Sequence, residues 1–90
     1  MKPKQTFRVM KAIVVKYLAV TNTKPSRYKA YIQGHSVTVS TYDVEETWEK
    51  TPRRIVAEML MEKLGWDDLE IAGSGLLPNG ETAFILTLKQ

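Results

Sequence analysis

The chain has 90 residues, which is enough for one domain and leaves no room for a second core. Its hydrophobic fraction of 43% and charged fraction of 26% are ordinary for a globular protein, and the lack of cysteine excludes disulfides and thiolate chemistry. The net charge of +3 is unevenly divided, because residues 1–42 hold eight Lys or Arg and no acid, whereas all ten acids follow. One surface is therefore expected to attract anions.

The first twenty residues predict a tail followed by a strand. Residues 1–7 are polar and basic and are predicted to form a flexible tail ahead of a single domain, residues 8–90. Residues 9–20 are rich in β-branched side chains, which indicates a strand. Either of two sets of alternating residues can face the core: Val9, Ile13, Val15 and Tyr17, or Met10, Ala12, Val14 and Leu18. We favour the first set because it leaves Lys16 facing solvent.

The next segment is predicted to form a β-hairpin. Residues 21–26 are a connection rich in turn-forming residues. Residues 27–33 and 36–41 alternate as strands do, on either side of a tight turn at Gly34 and His35. On the earlier of these strands, one face would carry Arg27, Lys29 and Tyr31, and the other would carry Tyr28, Ala30 and Ile32.

A helix is predicted after an acidic segment. Residues 43–50 are expected to form a loop or a helical turn. Thr51 is a suitable N-cap, Pro52 suits the first helical position, and Gly65 suits the residue that ends a helix. Apolar residues recur on one helical face: Ile55, Val56, Met59, Leu60 and Leu64.

Two further strands are predicted near the C-terminus. Residues 69–72 read as a short strand, residues 73–75 as a flexible bend, residues 78–81 as a turn, and residues 82–88 as an apolar strand. The predicted fold class is therefore α+β, an antiparallel sheet of four to five strands in βββαββ order, with one main helix packed on one face.

Neither catalysis nor a cofactor is indicated. His35 is the only histidine, and its Gly-His-Ser context is typical of a solvated turn. The acids lack the spacing of a calcium loop, and Gly73-Ser74-Gly75 lacks the lysine of a phosphate loop. We therefore predict a protein that is not an enzyme and that carries no cofactor and no metal.

The strongest indication of function is a basic corner, formed by the end of the first predicted strand, the connection at residues 21–26 and the start of the second predicted strand. Cations and short hydrogen-bond donors suit phosphate, and tyrosine rings can stack on bases. The alternative is a solubilising strand face with its tyrosines in the core, and for the tyrosines taken alone that alternative is the better interpretation. The predicted nucleic-acid-binding residues are Lys16, Asn22, Lys24, Ser26, Arg27, Tyr28, Lys29 and Tyr31.

The acidic segment suggests a protein partner instead. Tryptophan is a favoured anchor of protein interfaces, and an acidic surface can dock on a basic protein. Alternatively, Trp48 covers the edge of the sheet. The candidate partner-binding residues are Trp48, Asp43, Glu45, Glu46 and Glu49.

The segment from Lys16 to Ala30 reads Lys-Tyr-Leu, Thr-Asn-Thr and Ser-Arg-Tyr-Lys-Ala, and it resembles a signature of small uncharacterised proteins encoded by phages and plasmids. Pro25, where we would expect glycine, and Tyr28, where we would expect an aliphatic residue, depart from that pattern. The resemblance supplies no active site. It implies a mobile-element setting, with either DNA or RNA as the partner or a host protein complex, such as a defence nuclease or a CRISPR complex, as the target of inhibition.

Location and assembly are less directly indicated. The apolar runs are far shorter than the roughly 20 residues that a membrane span needs. We therefore expect a cytoplasmic protein without a membrane partner, located in the host cytoplasm if a phage encodes it. Because so small a domain is stable by only a few kcal/mol, we also consider a homodimer.

Overall fold

The computed structural model describes residues 11–89, so the predicted tail, Val9 and Met10 lie outside the described residues. The strands and the helix are β1 (Lys11–Leu18), β2 (Arg27–Ile32), β3 (His35–Ser40), α1 (Pro52–Lys63), β4 (Leu69–Leu76) and β5 (Thr82–Leu88). A single 3-10 turn, Thr41–Asp43, follows β3. The predicted α+β fold with βββαββ order is confirmed. No helix within residues 11–89 is long and apolar enough to cross a membrane.

All five strands form one antiparallel sheet in the order β3-β2-β1-β5-β4. β1, β2 and β3 are consecutive neighbours, and the chain then passes through α1 to β4 at the far edge and returns as β5 beside β1. Gly34 and Gly80 occupy the two hairpin turns with φ of 84° and 87°, a conformation that glycine adopts without steric cost. The topology therefore makes β1 the central strand.

α1 covers one face of the sheet. Ile13 and Val15 of β1 are fully buried beneath it, which confirms the favoured alternation for these two residues, whereas Tyr17, the other described member of that set, is 48% exposed. Ala30 of β2 is buried on the same face, and the neighbouring Tyr28 and Ile32 pack against this core. The core consists of Ile13, Val15, Ala30, Val56, Ala57, Leu60, Met61, Leu69, Phe84 and Leu86.

Both ends of α1 follow the predicted signals. The Thr51 hydroxyl accepts a hydrogen bond of 3.3 Å from the backbone N–H of Arg54. At the other end, Gly65 has a φ of 70° and donates to the carbonyl of Glu62, while Trp66 donates to the carbonyl of Met61. These two bonds form a Schellman motif, which satisfies carbonyls that the end of a helix leaves free.

The buried face of α1 differs from the predicted one. Val56, Ala57, Leu60 and Met61 are buried, whereas Met59 is 38% exposed. The apolar repeat alone predicted Met59 in the core and did not predict Ala57 or Met61 there. α1 packs mainly on β1, β2 and β3, and its position over these strands selects which apolar residues are covered.

β4 is longer than predicted. It continues from Leu69 to Leu76 through Gly73-Ser74-Gly75, so these residues pair with β5 and are not a flexible bend. The pairing register shifts between Ile71 and Gly73, which marks a β-bulge. The glycines are compatible with an exposed edge strand because a bulge tolerates residues without side chains.

Arg53 fixes the start of α1 to the sheet. Its Nη1 lies 3.3 Å from the Val15 carbonyl oxygen, 3.2 Å from the Gly80 carbonyl oxygen and 3.1 Å from Thr82 Oγ1. The guanidinium therefore connects α1 to the central strand and to the β4–β5 hairpin. These contacts set the position of the turn that precedes β5, which matters for the site described next.

Candidate nucleic-acid interface

The face of the sheet opposite α1 forms a broad surface, which we name the open face. Strand alternation places on it Ala12, Val14, Lys16, Leu18, Arg27, Lys29, Tyr31, Ser36, Thr38, Ser40, Ala83, Ile85 and Thr87. None of these side chains is buried, and no element within residues 11–89 packs over them. The open face is therefore a surface that a partner can reach.

Two lysines lie directly opposite each other on the open face. Lys16 of β1 pairs with Lys29 of β2, and Lys29 pairs in turn with Thr38 of β3. Like charges that face each other across two strands destabilise a sheet. Within residues 11–89, neither lysine has a carboxylate within salt-bridge distance. The pair therefore offers two positive charges to an anion.

Arg27 extends the basic surface along β2. It pairs with Leu18 on one side and with Ser40 on the other, two residues before Lys29 on the same face. Its Nε is covered and has no hydrogen-bond partner in the part of the chain that the structure describes. A covered donor of this kind is costly to leave unbonded.

Tyr31 is held by a small network of polar groups. Its hydroxyl donates a hydrogen bond to Glu81 Oε1, and the Asn79 side-chain amide donates to Glu81 Oε2 at 2.8 Å. The backbone N–H of Glu81 in turn donates to Asn79 Oδ1 at 3.0 Å. The hydrogen bond to Glu81, then burial, then the Glu81 charge raise the pKa of Tyr31, so its phenol remains a neutral donor.

The Tyr31 ring lies across the central strand. Tyr31 pairs with Val14, and Val14 pairs with Ala83 of β5, two residues after Glu81. Because neighbouring strands are about 4.8 Å apart, a bond from β2 to the start of β5 must span roughly 10 Å. The Tyr31 side chain therefore leans over β1 to reach Glu81. The Nζ atoms of Lys16 and Lys29 lie 5.4 and 5.9 Å from the ring centroid.

Asn22 and Lys24 lie at the rim of this surface. Both are exposed in the connection between β1 and β2. Thr21 orders this connection, because its backbone N–H donates to the Lys24 carbonyl at 2.9 Å and its hydroxyl accepts from the Lys24 N–H at 3.1 Å. The polar side chains of Asn22 and Lys24 are therefore presented by a structured turn.

The structure does not bring Ser26 and Tyr28 to the open face. Ser26 Oγ is 2.7 Å from Thr41 Oγ1, and its carbonyl accepts from the Thr41 N–H, so it joins β2 to the chain after β3. Tyr28 lies on the helix side, edge-on to Tyr17 with ring centroids 5.6 Å apart, and 5.9 Å from Arg53. These contacts account for both residues as parts of the fold.

Sequence reasoning did not identify Glu81 as a residue of this surface. It lies 50 positions after Tyr31, beside a turn signal that explains its surroundings without any functional role. Its contact with Tyr31 exists only because β5 pairs with β1, and no local pattern specifies that pairing. Only a correct strand order would have revealed it.

The acidic segment forms a second exposed feature. Trp48 is 93% exposed and Tyr42 is 84% exposed, so Trp48 does not cover the sheet edge. The four predicted acids, Asp43, Glu45, Glu46 and Glu49, are all exposed. The turn that carries Trp48 is ordered, because the Lys50 N–H donates to Thr47 Oγ1 at 3.1 Å and Lys50 Nζ forms an ion pair of 2.8 Å with Glu58.

Within residues 11–89, no three Asp, Glu or His side chains come together as metal ligands would. His35 is exposed at the start of β3. Shallow grooves run between α1 and β4, lined by side chains of both charges, including Arg54, Glu58 and Glu70.

Comparison of the chain with protein-family models, with curated proteins and with solved structures finds no match.

Proposed function

We propose that this chain is a non-enzymatic nucleic-acid-binding protein that uses the open face of its sheet. The observation that carries the proposal is the direct pairing of Lys16 with Lys29, neither of which has a carboxylate within salt-bridge distance among the described residues. Such a pair lowers the stability of the sheet, and a bound phosphate would relieve the repulsion. The mobile-element setting that the sequence resemblance implies is compatible with a cytoplasmic role of this kind.

Each residue of the surface has a physical role in the proposal. Lys16, Lys29 and Arg27 contact phosphates, and Lys24 and Asn22 contact the backbone at the rim. Phosphate contacts carry no sequence information, so we expect binding that differs little among sequences. Four cationic contacts predict an affinity that falls about fiftyfold to 150-fold between roughly 50 and 200 mM salt.

The test is a fluorescence-anisotropy titration of labelled oligonucleotides with the wild-type protein and with the double variant Lys16→Gln/Lys29→Gln. Removing two of the four cationic contacts should weaken binding at low salt and reduce the slope of log K against log salt by about 1.4 for a single strand. Glutamine keeps much of the side-chain length, so packing on the open face is largely retained.

A matched control is the double variant Lys50→Gln/Lys63→Gln. It removes the same charge, but Lys50 contacts Glu58 and Lys63 donates to the Ser36 carbonyl, and both lysines lie at the ends of α1. We expect the control to keep the wild-type salt slope. Equal losses in the two double variants would mean that net charge alone drives binding, and the proposal for the open face would be rejected.

A second candidate function has one observation in its favour, the exposure of Trp48 in an ordered turn. In this alternative the protein inhibits a host defence complex, such as a nuclease or a CRISPR complex. The indole inserts into the partner while Asp43, Glu45, Glu46 and Glu49 pair with its basic groups.

The two candidates can be separated by affinity capture from a bacterial lysate, with and without nuclease treatment, using wild-type and Trp48→Ala proteins as baits. A protein retained in stoichiometric amount by the wild type and lost from Trp48→Ala supports inhibition. Retention that is equal for both baits excludes Trp48 as the anchor. Loss of all retained protein on nuclease treatment favours the nucleic-acid proposal.

A further inference from the structure

We propose that the open face takes single-stranded nucleic acid, with one base stacked on the Tyr31 ring and the flanking phosphates on Lys16 and Lys29. This inference rests on the proposed function and names the form of the ligand. RNA and DNA strands share the chemistry that it needs, a flat base and a phosphate on each side, and the experiment below distinguishes them.

The direction of the Tyr31 side chain favours contact with a base. A tyrosine that stands upright on a sheet presents its edge and its hydroxyl to solvent. Tyr31 instead reaches across β1 to bond Glu81, so its side chain leans over the Val14 position. Unpaired bases stack on aromatic rings, and a bound base would take the place over the ring that the Lys16 and Lys29 ammonium groups occupy in the unbound protein.

The Tyr31 ring is held in place before any ligand binds. Glu81 is itself fixed by two hydrogen bonds with Asn79, so the acceptor for the Tyr31 hydroxyl is fixed as well. Ordering a side chain on binding lowers affinity, and an aromatic group that is already ordered avoids this loss.

Two positive charges lie close to the Tyr31 ring. The two ammonium groups lie 5.4 and 5.9 Å from the ring centroid, on long side chains that can swing toward phosphates. A strand of nucleic acid carries a phosphate on each side of every base, and the two long lysine side chains beside the ring can reach those phosphates when a base displaces their ammonium groups from the ring. In a duplex the bases are stacked on each other, and a flat sheet cannot reach their faces.

The experiment compares labelled oligonucleotides of about 12 nucleotides, as single-stranded DNA, single-stranded RNA and a DNA duplex. Each is titrated with the wild-type protein and with Tyr31→Leu and Tyr31→Phe. We expect the wild type to prefer a single strand. We also expect Tyr31→Leu to weaken single-strand binding by about fivefold to a hundredfold, while duplex binding changes less than about twofold. Tyr31→Phe keeps the ring and should lose less than Tyr31→Leu.

The outcomes separate this inference from the proposed function. Binding of single strands and duplex with equal affinity, or a Tyr31→Leu variant that binds like the wild type, overturns the inference and leaves the phosphate-binding proposal in place. No binding of any oligonucleotide overturns both. A preference between the DNA and RNA single strands identifies the ligand. Thermal unfolding of both variants checks that each is folded during the titrations.

Discussion

Lys16 of β1 lies directly opposite Lys29 of β2, on the face of the sheet that α1 leaves uncovered. Cross-strand neighbours of like charge repel each other, so a sequence shaped only by stability would tend to place an acid at one of the two positions. The pair therefore links the stability of the sheet to the binding of an anion, and the two properties are expected to respond in opposite directions to mutation.

Replacing Lys29 by Glu tests whether the stability of the sheet and the binding of an anion respond in opposite directions. Glu at position 29 would face Lys16 as an ion pair, so we expect Lys29→Glu to raise the free energy of unfolding by about 0.2–1 kcal/mol. The same change places a negative charge among the phosphate contacts, so oligonucleotide binding should fall. Urea unfolding and anisotropy titration of one preparation measure both effects. A variant that loses stability and keeps binding would contradict the role assigned to the pair.

The hydrogen bond between Tyr31 and Glu81 predicts a dependence of stability on alkaline pH. The pKa of Tyr31 is raised above its ordinary value of 10.0, chiefly by that bond. The folded state therefore favours the neutral phenol, and the stability that Tyr31 contributes is fully present below about pH 10 and is lost as the pH rises through the raised value.

The measurement for this pH effect is urea unfolding of the wild type and of Tyr31→Phe between about pH 8 and pH 11. The difference in free energy of unfolding between the two proteins should be constant up to about pH 10 and shrink above it. Tyr42→Phe is the control, because Tyr42 is 84% exposed. A difference that stays constant throughout would show that Tyr31 does not bond Glu81 in solution.

Arg53 is predicted to matter for stability more than its position on a helix surface suggests. Replacing it by Met removes the contacts of Nη1 with the Val15 carbonyl, the Gly80 carbonyl and the Thr82 hydroxyl. We expect Arg53→Met to lower the free energy of unfolding by about 1–3 kcal/mol, because hydrogen bonds to a charged group are strong. Urea unfolding checks this, with Arg54→Met as the neighbouring control.

The orientation of α1 is tested by a pair of adjacent substitutions. Leu60 is fully buried, whereas Met59 is 38% exposed, although the apolar repeat assigned both to the core. We expect Leu60→Ala to cost about 2–5 kcal/mol of unfolding free energy and Met59→Ala no more than about 0.5 kcal/mol. Similar losses in the two variants would mean that α1 is rotated about its axis relative to the structure described.

Local signals predicted most of the fold. The helix cap at Thr51, the positive φ at Gly65 and the turn at Gly80 all depend on a few adjacent residues, and each was confirmed. The buried face of α1 was only partly predicted, because which apolar residues are covered depends on where the helix rests on the sheet. The β4 bulge near Gly73 was missed for a similar reason, since pairing with β5 overrides the flexibility of the glycines.

The candidate site, like the fold, was predicted where a local pattern is sufficient and was missed where long-range strand pairing decides. Alternation along β2 separated Arg27, Lys29 and Tyr31 from Tyr28, and the structure has the same division. The register that pairs Lys16 with Lys29 and the strand order that brings Glu81 to Tyr31 arise from long-range pairing. No local pattern specifies either contact, which is why the sequence indicated a basic corner and the structure defines a surface on one face of the sheet.

The most direct test of the central claim is a methyl-detected NMR titration of the wild-type protein with a single-stranded oligonucleotide. Adjacent strand residues report on opposite faces, because Val14 and Ile85 lie on the open face while Ile13 and Val15 are buried beneath α1. We predict that the methyl resonances of Val14 and Ile85 shift and that those of Ile13 and Val15 shift much less. Shifts confined to the covered side or to residues around Trp48 would contradict the claim that the open face is the binding surface.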